Sequence, residues 1–375
     1  MEVDKSLTIS VVVSYTYPYI GSGIGNVAQK QAELLAQSGH QVFLLSSNFP
    51  KSSAQFVHKK VTHIKFPALF FLEKVHVPVP LTMLSPASIK AISRSDIVHI
   101  HDGLYLSSFL AAIVAKLFRK KVIVTVHINH LHYQNVLVNT LEYMAEFLIA
   151  KPVFMLSDKI LVINHTLEKE LKSYKVKIQT LSNGVDLKLF HPAKLSQKII
   201  LRKKYNIPLQ KKIVLFVGRL VPKKGFNLLI EARSNQYEIL FVGTGEVSEQ
   251  IKKLPGLSFV GPKSQEELAE YYQLSDVFVL PSHGEGYPLS VKEALASGLP
   301  VITTFTHSSL ISMYDTWVHN VEPTATAIKT RIIFVLNRKG SSTEEAVRQA
   351  FLKKFDWTLN VLDLTKIYNN VLAKL

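Results

Sequence analysis

Two glutamates eight positions apart, Glu285 and Glu293, bracket the stretch Gly286-Tyr287-Pro288-Leu289, which runs from a loop into a helix. A loop carboxylate and a helical carboxylate two turns further on can both accept hydrogen bonds from hydroxyls such as those of a sugar. Amides at a helix start suit an anion. A second pair, Arg219 and Lys224, lies five positions apart on the loop after the apolar run Ile213 to Val217. A guanidinium forks two phosphate oxygens and an ammonium adds a point charge, so this pair beside free helix amides fits a diphosphate. Each feature also has a plain reading taken alone: a solvated basic loop for the cations, and an ordinary surface glutamate for Glu293.

Two further groups invite chemistry. Pro18 to Gly25 carries glycines spaced G-x-G-x-G and leads into a helix, so its backbone could approach a phosphate. A dinucleotide-binding loop would need G-x-G-x-x-G and an acidic residue at the end of the second strand, where Ser46 stands instead. A tight turn is the alternative. His99 and His101 share one face of a strand, Asp102 follows them, and His127, His130 and His132 gather after a later strand. Such a set could hold a divalent metal in a hydrolase.

The elements that must position these residues are legible in the apolar pattern. Leu7 to Ser14, Gln41 to Ser46, Asp96 to His101, Val122 to His127 and Lys159 to Ile163 read as short buried strands separated by helix-length segments. Val27 to Ser38 has helical periodicity and closes at Gly39-His40. A second series follows: Ile213 to Val217, Glu238 to Val242, Leu257 to Val260, Val277 to Leu280 and Pro300 to Thr303. Repeated strand–helix–strand order implies two doubly wound parallel sheets, joined near residues 187–200. In such sheets ligands bind outside the carboxyl ends of the strands, which is where the residues above fall.

The chain has 375 residues, 47% of them hydrophobic and 19% charged, enough for large cores and inconsistent with disorder. It has no cysteine, which excludes disulfides, thiolate nucleophiles and cysteine-held metals. Lysine and arginine number 44 against 28 acidic residues, a net charge of +16 that suggests an anionic partner. Residues 1–192 carry 20 basic and 12 acidic groups and the remainder 24 and 16, so each half is +8. Nucleic acid is a poor partner, because the basic residues are dispersed and no binding module is recognisable. The N-terminus lacks a signal-peptide pattern and Leu104 to Phe118 is too interrupted to span a membrane, so a cytoplasmic location, soluble or peripheral at the inner membrane face, is expected.

Glu285 and Glu293 within Ser282-x-x-Glu-Gly-Tyr-Pro-Leu, followed by Ala-Ser-Gly-Leu-Pro-Val-Ile, resemble the signature of family 4 retaining glycosyltransferases of the GT-B fold, also called glycosyl transferases group 1. The resemblance covers nearly the whole chain. Pro18 to Gly25 and Gly39-His40, the strand ends at His101 and Thr125-Val126-His127, and Asn183-Gly184-Val185-Asp186 with Phe190 and Pro192 follow the family order. So do Gly218-Arg219 to Lys224-Gly225, Val242-Gly243-Thr244-Gly245-Glu246, and Phe355-Asp356-Trp357 with Tyr368.

The resemblance implies two Rossmann-like domains facing across a cleft. Residues 1–190 would bind the acceptor, residues 191–357 the nucleotide sugar, and a helix over about 358–375 would cross back to the first domain. Arg219 and Lys224 would bind the donor diphosphate and stabilise its growing charge, and Glu293 would hold the ribose. Glu285 would contact the transferred sugar, assisted by the amides of Gly286, Tyr287, Pro288 and Leu289. Gly243 would belong to the donor site, Gly23 would lie near the diphosphate or the acceptor, and His127 would orient the reacting sugar. No cofactor is implied beyond a UDP- or GDP-linked sugar. The sequence has no D-x-D motif, so cationic side chains would stand in for a metal.

One stretch departs from the family pattern: after Thr303 comes Phe305-Thr306-His307-Ser308-Ser309, and residues 312–326 match no family motif. A lapsed catalyst acting as a nucleotide-binding, glycan-binding or regulatory protein is therefore the main alternative. The acceptor is expected to be a glycan or a lipid-linked molecule. Apolar Pro67 to Leu72 and Val77 to Leu84, with basic Lys116 to Lys121, would permit an anionic membrane face.

Overall fold

A computed structural model of the protein describes residues 6–16, 23–48, 55–66, 68–72, 77–80, 86–127, 140, 143–174, 176–245, 247–283, 288–305, 316–338 and 342–373. The chain forms two compact units, Met1–Asn183 with Thr358–Leu375, and Gly184–Trp357. The first division falls earlier than residue 190 because Val185 and Phe190 are buried in the core of the second unit.

The first unit is built on an eight-stranded sheet. Its strands are β1 (Thr8–Val12), β2 (Gln41–Ser47), β3 (Gln55–His58), β4 (Val61–Phe66), β7 (Ile97–His101), β8 (Lys121–Val126), β9 (Lys159–Val162) and β10 (Ile178–Thr180). Their order across the sheet is β10-β9-β8-β7-β1-β2-β4-β3. All neighbours are parallel except β3, an antiparallel edge strand on β4. The intervening β5 (Ala68–Leu72) and β6 (Val77–Pro80) pair with each other in a separate antiparallel ribbon. The strands near the centre are apolar along their length because helices cover both faces of a parallel sheet. Val11, Val98, Ile100 and Val124 are accordingly inaccessible to solvent.

The closing helix, Trp357–Leu372, completes this unit. Val361, Leu364, Ile367, Tyr368 and Val371 recur at helical spacing and join the buried cluster that contains Ile9, Val11, Ala28 and Leu35. Asn360 accepts a 2.9 Å hydrogen bond from Gln31 and donates to the Ser182 carbonyl at 2.7 Å.

The second unit holds six parallel strands: β11 (Lys212–Val217), β12 (Tyr237–Val242), β13 (Leu257–Gly261), β14 (Val277–Leu280), β15 (Val301–Thr303) and β16 (Val318–Asn320). Their order is β13-β12-β11-β14-β15-β16, which is the 3-2-1-4-5-6 arrangement of a Rossmann sheet. The order in which successive strands join the sheet reverses between β11 and β14, and the equivalent place in the first unit is between β1 and β7. The expected strands are thus present, with ends shifted by a residue or two.

Candidate active site

In the second unit the loops leaving β11, β12 and β14 are pressed together, and glycine makes this possible at two places. Gly225 has φ +68, and a Cβ there would stand 1.8 Å from the Pro281 carbonyl oxygen. Gly243 has φ +145, and its Cβ would stand 1.9 Å from the Gly218 carbonyl oxygen. Any other residue would force these backbones apart. Hydrogen bonds hold the same contacts: Gly218 N–H to the Val242 carbonyl at 3.0 Å, Leu220 N–H to Thr244 at 2.7 Å, and His283 N–H to Lys223 at 2.9 Å. Thr304 Oγ1 donates to the Ser282 carbonyl at 3.0 Å, adding the loop after β15.

The segment bearing Arg219 and Lys224 is therefore fixed against Pro281 and Ser282, at the point where β11 and β14 part. Arg219 is exposed and has no ion-pair partner among the described residues. Lys224 is half-buried. Free amides were expected beside this pair; instead the Lys224 and Gly225 N–H groups donate to Val221 and Pro222, closing a turn. The cations themselves are what this loop offers an anion. Ser282 Oγ is buried without a hydrogen-bond partner among the described residues.

Glu293 lies on the helix Leu289–Ala296, which follows β14. It is 8% exposed, so it is no ordinary surface glutamate. Its Oε2 accepts a 2.9 Å hydrogen bond from Tyr272 Oη, on the helix that precedes β14. Burial pushes the carboxyl up to about 7, with the tyrosine hydrogen bond acting the other way. Pro288 caps this helix and has no N–H, so it cannot supply one of the expected amides. Glu285, Gly286 and Tyr287 lie outside the described residues, as do Pro18 to Ser22, His130, His132, Glu246 and Thr306 to Ser309.

In the first unit the carboxyl ends of β7 and β8 carry a buried histidine cluster. His99 Nδ1 lies 2.7 Å from Tyr368 Oη, and its Nε2 lies 2.7 Å from Thr125 Oγ1. His101 Nδ1 lies 2.9 Å from His127 Nε2. Asp102, with φ +67, accepts the His127 backbone N–H at 3.2 Å through Oδ1. Burial drives the His99 and His127 imidazoles down to about 3 and His101 well below its ordinary value, so all three are neutral. Burial likewise raises the Asp102 carboxyl to about 7, opposed by the His127 N–H.

The tautomers follow from this pattern. His101 Nε2 is buried with no partner among the described residues. If His127 Nε2 donated to His101 Nδ1, that Nε2 would be an orphaned N–H, the costlier kind of unmet group. The reverse direction leaves only an unmet lone pair there and makes His127 Nδ1 an N–H donor. Both nitrogens of His99 are engaged by hydroxyls, and His101 and His127 bind one another. Among the described residues no set of three or more acidic or histidine side chains is arranged to hold a metal. Gly23 opens the helix Gly23–Gln37 that follows β1 and is exposed, with open space where a Cβ would go.

Residues 21–189 match the family described as Glycosyltransferase Family 4, and residues 197–351 match Glycosyl transferases group 1. The chain belongs to glycosyltransferase family 4. A GDP-mannose-dependent alpha-mannosyltransferase of Corynebacterium glutamicum is 26% identical over 315 residues, 80% of this chain and 73% of that protein. Sucrose-phosphate synthase of Thermosynechococcus elongatus superposes with TM-score 0.76 at 20% identity, over 97% of this chain and 99% of that one. HepE of Anabaena, solved in complex with UDP and glucose, gives TM-score 0.73 at 13% identity, over 97% and 100%. The two parallel-sheet units of this glycosyltransferase are thus those of the GT-B fold.

Three contacts were not foreseen: Tyr272 on Glu293, Thr125 on His99 and Tyr368 on His99 join residues 21, 26 and 269 positions apart. Thr125 and Tyr368 stand out in the sequence as family-motif residues without a partner being assigned to them, and Tyr272 carries no signal beyond a hydroxyl in an otherwise apolar helix pattern.

Proposed function

We propose that this glycosyltransferase moves a sugar from a UDP- or GDP-linked donor to a hydroxyl of a glycan or lipid-linked acceptor. Transfer would retain the anomeric configuration, with cationic side chains rather than a metal at the diphosphate. The observation that carries this reading is the fixing of the Arg219–Lys224 loop against Pro281 where β11 and β14 diverge, the place where Rossmann sheets bind nucleotides.

As the glycosidic bond breaks, negative charge grows on the departing diphosphate. Preplaced cations at that position lower the barrier because they need no reorganisation. Arg219 and Lys224 supply them. Glu293 accepts the ribose hydroxyls, oriented by Tyr272, which occupies one of its oxygens. Gly243 lets the β12 loop lie flat beside this site. Glu285, by family resemblance, takes the hydroxyls of the transferred sugar, and the amides of Gly286, Tyr287 and Leu289 assist the phosphates. Gly23, by family resemblance, is assigned to the diphosphate or the acceptor. His127 orients the sugar through its Nδ1–H; an imidazole held at about 3 is a weak base, which favours positioning over proton abstraction.

A thermal-shift panel of UDP, GDP and ADP with their sugars tests the reading on the wild-type chain and on Arg219→Ala. One nucleotide series should stabilise the protein, and Arg219→Ala should weaken that binding about 10–100-fold, as expected for losing a charged hydrogen bond. Glu285→Ala should abolish transfer without unfolding. Indifference to every nucleotide, together with metal-dependent ester or amide hydrolysis, would overturn the proposal.

A further inference from the structure

Opposite the histidine cluster, at the amino ends of the strands of the first unit, a cavity of about 1120 Å³ opens between the sheet and the last turns of the closing helix. Lys121 and Lys159 are the first residues of β8 and β9, and Lys177 immediately precedes β10. Lys151, from the adjoining helical segment, also lines the cavity. Among the described residues Lys151, Lys159 and Lys177 have no carboxylate within ion-pair distance. Asp158 is already held by Lys116 at 2.6 Å and Lys121 at 3.7 Å. Burial and the charge of Lys177 lower the Lys159 ammonium from its ordinary value, showing like charges held close.

The same segment presents an apolar surface to solvent. Tyr143, Met144, Phe147 and Leu148 line one shallow hollow, and each is more than half exposed. Met155, at 68% exposure, lines the lysine cavity, and Lys151 lies 5.0 Å from the Phe147 ring centre, so the apolar and basic surfaces are continuous. Leu117 and Phe118, 75% and 46% exposed, end the helix whose Lys116 reaches Asp158. Among the described residues Glu146 and Asp158 are the acidic groups bordering the patch.

We infer that this face docks the protein on an anionic lipid bilayer, with the lysines meeting headgroup phosphates and the apolar side chains entering the interface. The composition favours lipid over a protein partner, because lysine is depleted in protein interfaces whereas aromatic and aliphatic side chains beside lysines suit a membrane surface. Among the described residues no helix is long and apolar enough to cross a membrane, so the attachment is peripheral. The face uses none of the residues assigned to the nucleotide sugar.

Co-sedimentation of the full chain with vesicles of phosphatidylcholine alone, or with 30% phosphatidylglycerol, tests the inference. Binding should require the anionic lipid and weaken with salt. Lys151→Glu/Lys159→Glu/Lys177→Glu should reduce it tenfold or more, since each basic residue near such a surface contributes about a several-fold gain. Phe147→Ser/Leu148→Ser should reduce it at low and high salt alike. Lys151, Lys177, Phe147 and Leu148 are exposed and Lys159 is half-buried. The nucleotide-induced thermal shifts of both variants should match the wild type, which separates this result from the donor site. Equal binding by variants and wild type would overturn the inference. So would absence of binding to anionic vesicles, or a dimer in light scattering that Phe147→Ser/Leu148→Ser dissolves while vesicle binding is absent.

Discussion

Tyr368 Oη lies 2.7 Å from His99 Nδ1, across 269 positions of sequence. The contact ties the closing helix to the carboxyl half of β7. It leaves His99 with both nitrogens satisfied, since Thr125 takes the other at 2.7 Å. His99 packs in turn on His101 with ring centres 4.5 Å apart, and His101 bonds His127. The orientation of His127 is thereby set by a chain of buried rings and hydroxyls that starts on the closing helix.

Tyr368→Phe should strip His99 Nδ1 of its partner and lower stability by about 1–3 kcal/mol, the usual effect of leaving a buried polar atom unmet. Denaturant unfolding measures it. A loss below about 0.5 kcal/mol, the scale of a neutral surface change, would show that the bond contributes nothing.

Glu293→Gln should become more favourable relative to wild type as pH rises. The folded carboxyl titrates at about 7 against an ordinary 4.5. A raised carboxyl contributes its stability below pH 4.5 and loses it as pH rises through 7, because folding then requires burying the charge. The variant is exempt. Its stability relative to wild type should climb between pH 5 and pH 8, towards about 3 kcal/mol. A flat difference across that range would contradict the buried, raised carboxyl.

Gly225→Ala should disrupt the second unit. The new Cβ would meet the Pro281 carbonyl oxygen at 1.8 Å on a backbone at φ +68. Gly39→Ala is the control, for Gly39 has φ +94 but nothing within 4 Å of a Cβ. The control should cost only the backbone strain, about 1–2 kcal/mol. Gly225→Ala should cost clearly more and abolish the nucleotide-induced shift. Equal effects in thermal unfolding would mean that the loop contact is not needed.

His127 should stay neutral with its proton on Nδ1 between pH 5 and 8, as nitrogen-15 NMR of the imidazole would report. A histidine lowered to about 3 contributes stability above pH 6.5 and loses it as pH falls towards 3, because only the unfolded chain takes up the proton. His127→Gln should therefore lose less stability in acid than wild type, by up to about 1.4 kcal/mol per pH unit below 6.5. An imidazolium signal at pH 6 would refute the assignment.

The two sheets were legible because buried parallel strands are written as continuous apolar runs, Ile213 to Val217 and Val277 to Leu280 among them. The glycines were legible as markers; what they face was not. That Gly225 abuts Pro281 depends on how two loops far apart in sequence approach. The partners of Glu293 and His99 were hidden for the same reason: Tyr272 and Tyr368 look like core aromatics until the neighbouring element is in place. The apolar runs of β5 and β6 were visible, but their pairing was not, because Ala68–Leu72 and Val77–Pro80 pair only with each other and bear no relation to the strand–helix rhythm around them.

The first unit draws Val361, Leu364, Ile367 and Val371 into a core otherwise built from residues before 184. On the ribosome, that core has no closing stripe until the second unit has been synthesised. The nascent first unit must therefore wait with an uncovered apolar face, while the second, contained within Gly184–Trp357, already has every strand it needs. The half of the protein translated first is thus the half that finishes folding last.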